Sequence, residues 1–474
     1  MATNPHDGSQ IRQNVRMSRV LGIGVSLAPG DSPRTDNALG RVLGIAAAYD
    51  VRPFGVPTRR RARTARMAET EVSDASSVRG LSPDDVRTEV AAWLAANWRR
   101  DMPAKEWLNL VVDAGWAVPT WSPEWHGRGW PAELAVVVRD EFAKVGAPGT
   151  RQDVTNLWAN TMLAFGTPEL KQQFIRRLLV NDVVMCLLYS EPGAGSDLAG
   201  LQTRAERDGD EYIVNGQKVW TSGGHLAEFG MLVARTNWEV PKHKGITFFW
   251  FPMRQPGVEV RPIKQITKEA HFNEVFITDA RVPDTHRLGD LNDGWRVLQT
   301  ALAYERSVMG EAARGPKKGD DADKGGTTGH VDLKALAQEV GRGDDPIIRQ
   351  EVAKVITMRK VNGWNQMRAK AALAQGTSSP IMSLGKLAMS GILHTDAAVQ
   401  ADILGAEAML DGPDNPRADT ANFLALNAYF TSIGGGTDQI QRNIIGERVL
   451  GLPKEPELDR DMAFRDVPKA TVAR

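Results

Sequence analysis

The chain has 474 residues, enough for two or three packed domains around a large core. Lysine plus arginine equals aspartate plus glutamate at 58 each, and this balance argues against nucleic acid or an anionic membrane as the main partner. The single cysteine excludes an internal disulfide and favours a reducing, cytoplasmic compartment, and no stretch reaches the roughly 18 apolar residues of a membrane span.

Residues 1–80 lack apolar periodicity and carry an arginine cluster just before Met67. This composition predicts a disordered leader or extension. An arginine-rich start is also typical of transit peptides, but Asp7, Asp31 and the missing amphipathic pattern favour a functional chain that begins at Met67.

Residues 81–185 are predicted to form an N-terminal α-helical domain. Ser82, Pro83 and the two aspartates that follow mark a helix start. Further helices are predicted at Ala104–Ala114, Ala132–Val145, Val154–Leu163 and Pro168–Leu178.

Residues 186–291 are predicted to form a middle β domain, either a small barrel or a sandwich, because short β-rich segments alternate with glycine, proline and asparagine. The clearest strands are Met185–Tyr189, Phe229–Arg235, Gly245–Phe251, Val258–Pro262 and Asn273–Ile277. The Asn215-Gly216 dipeptide predicts a tight hairpin turn, and Cys186 is predicted to be a buried structural thiol.

Residues 292–457 return to the helical period and predict an antiparallel four-helix bundle, followed by a tail at 458–474. The helices are expected at Trp295–Ala312, Ile347–Gln375, Pro380–Leu404 and Thr420–Tyr429, with a short one from Leu333. The charged, glycine-rich stretch Arg314–Gly329 is predicted to be a mobile loop. The fold class is therefore α+β.

The most specific signal lies between Leu187 and Gly224. An apolar strand breaks at Pro192 into GAGSD (193–197), here called the glycine loop, whose small residues suit close approach of an anionic or flat polar ligand. Trp220-Thr221-Ser222 then places one aromatic ring and two hydroxyls at a strand end. A glycine-rich loop alone is usually a surface turn. These linked motifs, in this order, resemble the acyl-CoA dehydrogenase family.

The resemblance implies that the bundle makes subunit contacts and that the protein uses FAD, an acyl-CoA substrate and an electron-transfer flavoprotein as partner. It implies cofactor contacts from Tyr189, Ser190, Gly195, Ser196, Trp220, Thr221, Ser222, Thr437 and Gln439. It implies substrate contacts from Ser196, Arg306, Gly435 and Gly436. No metal site is predicted.

The catalytic base departs from the commoner family pattern. Desaturation beside a thioester needs a carboxylate to take the α-proton, and most relatives carry it in Glu-Gly-Thr before the last helix. Here that triplet is Gly435-Gly436-Thr437. A smaller branch carries the carboxylate in a Glu-Arg dipeptide on the first bundle helix, which Glu305-Arg306 matches. Glu305 is therefore the implied base, and an ordinary solvated pair is the alternative.

Two more family segments differ: Arg-x-x-Phe-Gly is replaced within residues 335–350, and Gln-x-x-Gly-Gly-x-Gly within 402–408. Both serve the flavin across a subunit interface in the family. A homo- or hetero-oligomer, dimer or tetramer, is expected, and the loss fits an actinobacterial branch in which unlike subunits share flavin sites, often for sterol side-chain or other bulky substrates.

The expected function is dehydrogenation of acyl-CoA to trans-2-enoyl-CoA; the alternatives are a non-catalytic subunit of a heteromeric dehydrogenase and a flavin oxidase or monooxygenase.

Overall fold

The computed structural model describes residues 81–312, 331–374 and 382–468, which belong to one unit spanning Asp74–Arg474. The predicted leader, residues 1–80, and the predicted loop Arg314–Gly329 lie outside the described residues.

The first part of this unit is helical. Its helices are α1 (Pro83–Asn97), α2 (Ala104–Asp113), α3 (Ala132–Val145), α4 (Gln152–Thr155), α5 (Leu157–Phe165) and α6 (Pro168–Leu179). Helix α1 begins with a capping box, in which Ser82 Oγ accepts from the Asp85 amide at 3.2 Å and the Asp85 carboxylate accepts from the Ser82 amide at 3.0 Å.

The single helix predicted at Val154–Leu163 is wrong, because Asn156 interrupts it. Asn156 adopts an extended conformation, with ψ of 90°, and its side chain accepts a hydrogen bond from the Ala159 amide at 3.0 Å. This bond caps α5 and favours a new helix start over continuation of α4.

The middle part is a sheet, as the sequence predicts. Its strands are β1 (Met185–Leu188), β2 (Arg204–Asp208), β3 (Glu211–Ser222), β4 (Phe229–Arg235), β5 (Ile246–Pro252), β6 (Val258–Ile263), β7 (Phe272–Pro283) and β8 (Arg287–Leu288). The order is β6-β7-β3-β2-β4-β5-β8, with β1 parallel to β4. Since β6 and β8 end this order, the described strands form an open sheet and not the closed barrel that is one of the two predicted forms.

Both faces of the sheet are covered at β5, which explains why that strand is almost continuously apolar. Phe248 and Trp250 belong to the core shared with the N-terminal helices. Phe249 and Phe251 belong to a separate cluster on the other face.

The hairpin turn predicted at Asn215-Gly216 is wrong, because β3 runs straight through it. The turn joining β2 to β3 lies at Asp208-Gly209-Asp210, and Asn215 sits at an irregularity in the pairing with β7, where it exchanges two hydrogen bonds with Asp279. Gly216 is required because a Cβ there would lie 2.4 Å from Thr203 Oγ1. The dipeptide therefore forms a bulge.

The last part is helical again. Its helices are α7 (Gly294–Ala312), α8 (Leu333–Glu339), α9 (Pro346–Ala374), α10 (Met382–Leu404), α11 (Pro416–Ile433) and α12 (Asp438–Arg448). Helix α10 packs against α9, α11 and α12, whereas α7 has its main contacts with α4, α5 and β5. A membrane span would need a longer apolar stretch than any helix among the described residues provides.

Candidate functional site

The glycine loop is tied to strand β3 at the residues that precede it. The Ser190 carbonyl accepts a hydrogen bond from the Val219 amide at 2.9 Å, and the Tyr189 carbonyl accepts from Lys218 Nζ at 3.1 Å. The glycine loop and the segment from Trp220 onward therefore emerge from the sheet side by side.

A buried ion pair fixes the first turn of this region. Lys218 Nζ donates to Glu191 Oε1 at 2.8 Å, and both side chains are buried. The same carboxylate accepts from the amides of Gln202 at 2.7 Å and Thr203 at 2.9 Å. The main chains of Glu191 and Ala194 exchange hydrogen bonds of 3.0 and 3.1 Å, which closes the turn.

Each charge of this pair stabilises the ionised form of the other and so offsets the cost of burial. Burial opposes ionisation of Glu191, but the Lys218 ammonium and the hydrogen bonds from Lys218, Thr203 and Gln202 outweigh it and hold the pKa of the carboxyl below its ordinary value. Burial lowers the pKa of the Lys218 ammonium, and the Glu191 carboxylate offsets part of that effect. At neutral pH Glu191 is therefore ionised.

Glycine at 193 and 195 is required neither by backbone conformation nor by packing. Neither residue has a positive φ, and a Cβ built at either position meets no atom within 4 Å. Both residues, and Ser196 beside them, are exposed. The glycine loop thus presents an open main-chain surface that a ligand can approach closely.

Trp220 is a large exposed side chain on a strained backbone. Its φ is +63°, its side chain is 59% exposed, and its ring meets that of Phe272 edge-on at 6.1 Å. A left-handed conformation costs a non-glycine residue about 1–2 kcal/mol. Ser222, two residues on, is also exposed. Strain at an exposed aromatic residue is typical of a ligand-contact position.

Two of the predicted cofactor residues turn their side chains into the protein. The Tyr189 ring is buried 5.9 Å from that of Phe248, with its hydroxyl 3.9 Å from Met231 Sδ. Thr221 is buried, and its Oγ1 has no hydrogen-bond partner among the described residues. The carbonyls of both residues are also bonded inside the protein, that of Tyr189 to Lys218 Nζ at 3.1 Å and that of Thr221 to Asn273 Nδ2 at 2.9 Å.

The glycines predicted to face the substrate form a left-handed turn before α12. Gly435 and Gly436 have φ of +65° and +87°. Thr437 is the N-cap of α12, with its hydroxyl accepting from the amide three residues later at 3.2 Å, and Gln439 is exposed on the first turn. Gln441 Nε2 donates to the Gly435 carbonyl at 3.3 Å, which orients this turn.

A series of aromatic rings brings this turn and Trp220 to the same region. The Phe272 ring contacts Trp220 on one side and lies 5.6 Å from the Phe430 ring of α11. A Cβ at Gly434 would lie 3.1 Å from the Phe430 ring. The described ring contacts therefore lead from Trp220 through Phe272 to α11, the helix that ends just before the turn at 434–437.

The predicted base Glu305 lies on α7, four residues after the buried Ala301 and seven after the buried Leu298. The side chains of Glu305 and Arg306 lie outside the described residues. Their roles therefore stay predictions.

Sequence reasoning missed the residues that hold the site together. Lys218 falls in phase with Tyr212 and Val214, the inward-facing positions of β3, and a lysine in such a phase signals a buried partner. That the partner is Glu191, 27 residues away, and that Phe272 and Phe430 meet, depends on tertiary structure.

The two segments that depart from the family pattern lie against each other. The Arg342 guanidinium donates to the Asp402 carbonyl and, at 2.8 Å, to the Asp345 carboxylate. Arg342, Asp402 and Glu351 border an open cleft of about 590 Å³.

Sequence comparison with known proteins identifies the family. Acyl-CoA dehydrogenase IpdE1 of Mycobacterium tuberculosis is 34% identical over 399 residues, covering 78% of this chain and 98% of that protein. Models of the acyl-CoA dehydrogenase N-terminal, middle and C-terminal domains match residues 75–182, 186–280 and 333–450. The chain belongs to the acyl-CoA dehydrogenase family. The predicted family, fold class and enzyme class are confirmed.

Solved structures of acyl-CoA dehydrogenases agree with the fold. The Tcur3481-Tcur3483 steroid ACAD is 25% identical, covers 79% of this chain and 98% of its own, and has a TM-score of 0.60. The ChsE4-ChsE5 complex from Mycobacterium tuberculosis is 26% identical, covers 81% of this chain and 100% of its own, and has a TM-score of 0.57. Both relatives are complexes of two unlike chains.

Proposed function

We propose that this acyl-CoA dehydrogenase catalyses the FAD-dependent α,β-dehydrogenation of an acyl-CoA thioester to a trans-2-enoyl-CoA. The observation that supports the proposal is the strained and exposed Trp220, which follows the strand residues bonded to the segment just before the glycine loop and is linked through Phe272 to α11, ahead of the left-handed turn at Gly435-Gly436. These segments offer main-chain groups for hydrogen bonds to a thioester and the Trp220 ring for contact with a flat ligand.

The residues on the open side fit FAD. The ring of Trp220 offers a wall for the isoalloxazine, the exposed hydroxyls of Ser196 and Ser222 offer hydrogen bonds, and Gly195 leaves space for the main chain to approach. The family resemblance also assigns Tyr189, Ser190 and Thr221 to the cofactor, beside the glycine loop and at the end of β3. Thr437 and Gln439 at the start of α12 suit the adenosine side, where a helix N-terminus favours phosphate.

Bound FAD supplies the acceptor for the hydride that leaves the β-carbon. The Glu305 carboxylate takes the α-proton. The Gly435 amide donates a hydrogen bond to the thioester carbonyl oxygen, so charge that develops on that oxygen is stabilised and the α-proton becomes more acidic. Arg306 helps to shape the acyl-CoA site beside Glu305.

We propose a bulky acyl group, such as a sterol side chain, as the substrate class. The support is the likeness to the Tcur3481-Tcur3483 steroid ACAD over 79% of this chain. Reduced enzyme would pass its electrons to an electron-transfer flavoprotein.

We further propose that the enzyme is an oligomer, formed through the C-terminal helices. These helices expose large apolar side chains: Trp364 and Met367 on α9, and Tyr429 and Ile433 on α11 are each more than 60% exposed. Large exposed apolar side chains on helices of this kind favour burial at a subunit interface. The two-chain relatives favour an unlike partner as much as a second copy.

Anaerobic titration of the purified flavoprotein with a panel of acyl-CoA thioesters tests the function. Bleaching of the flavin band by one class of thioester supports dehydrogenation and identifies the acyl group. Colourless protein that gains flavin and activity only with a co-expressed partner would point to a supporting subunit. Oxygen consumption with peroxide release would point to an oxidase.

A further inference from the structure

The chain after α12 returns to the sheet and is anchored there by one buried side chain. Residues 451–468 are mostly exposed, whereas Phe464 is 1% exposed. The amides of Phe464 and Arg465 donate to the carbonyls of Val240 and Trp238, each at 3.0 Å. The rings of Phe464 and Trp238 lie 5.3 Å apart. The tail therefore docks at a defined position on the segment that links β4 to β5.

Phe464 covers a buried arginine that holds the far end of the glycine loop. The Arg235 guanidinium lies 3.5 Å from the centre of the Phe464 ring and is fully buried. It donates to the carbonyls of Ala199 at 2.6 Å, Leu201 at 3.2 Å and Lys242 at 3.0 Å. Burial lowers the pKa of Arg235 to about 10, so it stays charged at neutral pH. The ring supplies a cation–π contact where water would otherwise reach the guanidinium.

Lys242 joins the glycine loop to the tail directly. Its Nζ lies 3.2 Å from Asp197, the last residue of the loop, and 2.9 Å from Asp459 of the tail. Burial opposes the charge of Lys242, but the two carboxylates outweigh it and raise the pKa of the ammonium. The hydrogen bond from Lys242 lowers the pKa of Asp459. One ammonium thus links two segments that are far apart in sequence.

These contacts complement those at the start of the loop. The Glu191–Lys218 pair fixes the entry to the glycine loop from within the sheet. Arg235 and Lys242 fix its exit, and the tail covers both cations. If the tail leaves its seat, Arg235 becomes exposed and Lys242 loses one carboxylate, so the exit of the loop becomes free to move.

We propose that residues 458–467 act as a clamp that holds the glycine loop in its ligand-binding conformation, with Phe464 and Asp459 as positioning residues. The clamp rests on the proposed function only for the identity of the ligand, the acyl-CoA that Ser196 would contact. Because the clamp acts on the position of Ser196 and not on proton removal, it controls affinity rather than the chemical step.

Hydrogen–deuterium exchange of the full-length protein, isolated with any partner chain that accompanies it, tests the clamp without reference to catalysis. Phe464→Ala and Asp459→Asn should each accelerate exchange in peptides covering 193–203, by about tenfold for Phe464→Ala. Asp459→Glu should restore slow exchange. Arg465→Ala is the matched control, because the ion pairs of Arg465 within the described part of the chain are with the exposed Glu239 carboxylate and the neighbouring Asp466. Should Phe464→Ala fail to fold, the comparison of Asp459→Asn with Asp459→Glu still tests whether the clamp exists.

Steady-state kinetics with the acyl-CoA that bleaches the flavin tests the positioning role. Loss of the clamp should raise KM about tenfold and leave kcat within about twofold of wild type. Unchanged exchange at 193–203 in Phe464→Ala and Asp459→Asn would overturn the clamp, and so would faster exchange with an unaltered KM. If no acyl-CoA reduces the wild-type protein, the proposed function fails, while the exchange result still decides whether the clamp exists.

Discussion

Trp220 combines two features that rarely occur together, a left-handed backbone and a large exposed ring. Among the described residues, the aromatic ring that contacts the Trp220 ring is that of Phe272. We infer from the strain and the exposure that the ring serves as a wall for a bound ligand.

Two substitutions of Trp220 should differ in stability but weaken cofactor binding equally. Trp220→Gly relieves the left-handed strain, and we expect it to be about 0.5–1 kcal/mol more stable than Trp220→Ala, which keeps the strain. Both should weaken FAD binding by about tenfold because both remove the ring. Chemical denaturation and FAD titration measure the two effects. An alanine variant more stable than the glycine variant would contradict the strain.

Cys186 has no role in the proposed dehydrogenation. It is 1% exposed, and burial raises the pKa of its thiol to about 12. We expect the native protein to be inert to a thiol reagent such as dithionitrobenzoate at pH 8, and the denatured protein to release one equivalent. Rapid reaction of the native protein would show that the thiol is accessible.

At the scale of elements, the pair Glu191–Lys218 determines how the glycine loop sits on β3. A pair of this kind stabilises only while both partners remain, because either one alone leaves an uncompensated buried charge.

Lys218→Met should therefore lower the free energy of unfolding by roughly 3–5 kcal/mol. Adding Glu191→Gln should recover much of that loss, since an amide oxygen can still accept from the Gln202 and Thr203 amides. Arg261→Met, which removes an exposed pair with Glu259 on β6, should cost less than about 1 kcal/mol. Equal losses for Lys218→Met and Arg261→Met would contradict the importance of the buried pair.

The same pair predicts a dependence on acid. The folded-state pKa of Glu191 lies below its unfolded value, so its contribution is present above the unfolded pKa and is lost as pH falls through the folded pKa. Wild type should lose stability in that acidic window more steeply than the variant carrying Lys218→Met and Glu191→Gln. Parallel stability curves for the two proteins would show that Glu191 is not responsible.

The sequence predicts an element correctly where the residues that determine its ends are neighbours along the chain. It does not do so where those residues are distant in sequence. The cap at Ser82 predicts the start of α1 correctly because all of its partners lie within three residues. Asn215-Gly216 was misinterpreted because its hydrogen-bond partner, Asp279, is 64 residues away and the close approach of Thr203 is tertiary. The glycine loop and Trp220 were found from motif order, whereas the tail at 458–467 gave no local signal of its seat on Trp238.

At the scale of the whole molecule, the exposed apolar side chains of α9 and α11 are unsuited to an isolated subunit. We expect Trp364→Glu to shift the assembly toward smaller species by light scattering, because a buried unpaired carboxylate at an interface is unfavourable. Ile266→Glu is the control, since Ile266 is equally apolar and 75% exposed but lies in the loop between β6 and β7. An unchanged mass for Trp364→Glu would place the interface elsewhere.

Glu305 on α7 is proposed to perform the proton removal that most family members assign to the position of Gly435. Anaerobic stopped-flow mixing of the FAD-loaded enzyme with its acyl-CoA, for wild type and Glu305→Gln, measures this step directly. The account predicts that Glu305→Gln retains FAD and binds acyl-CoA but reduces its flavin at least about a thousandfold more slowly than wild type. Flavin reduction by Glu305→Gln within a few-fold of the wild-type rate would contradict it.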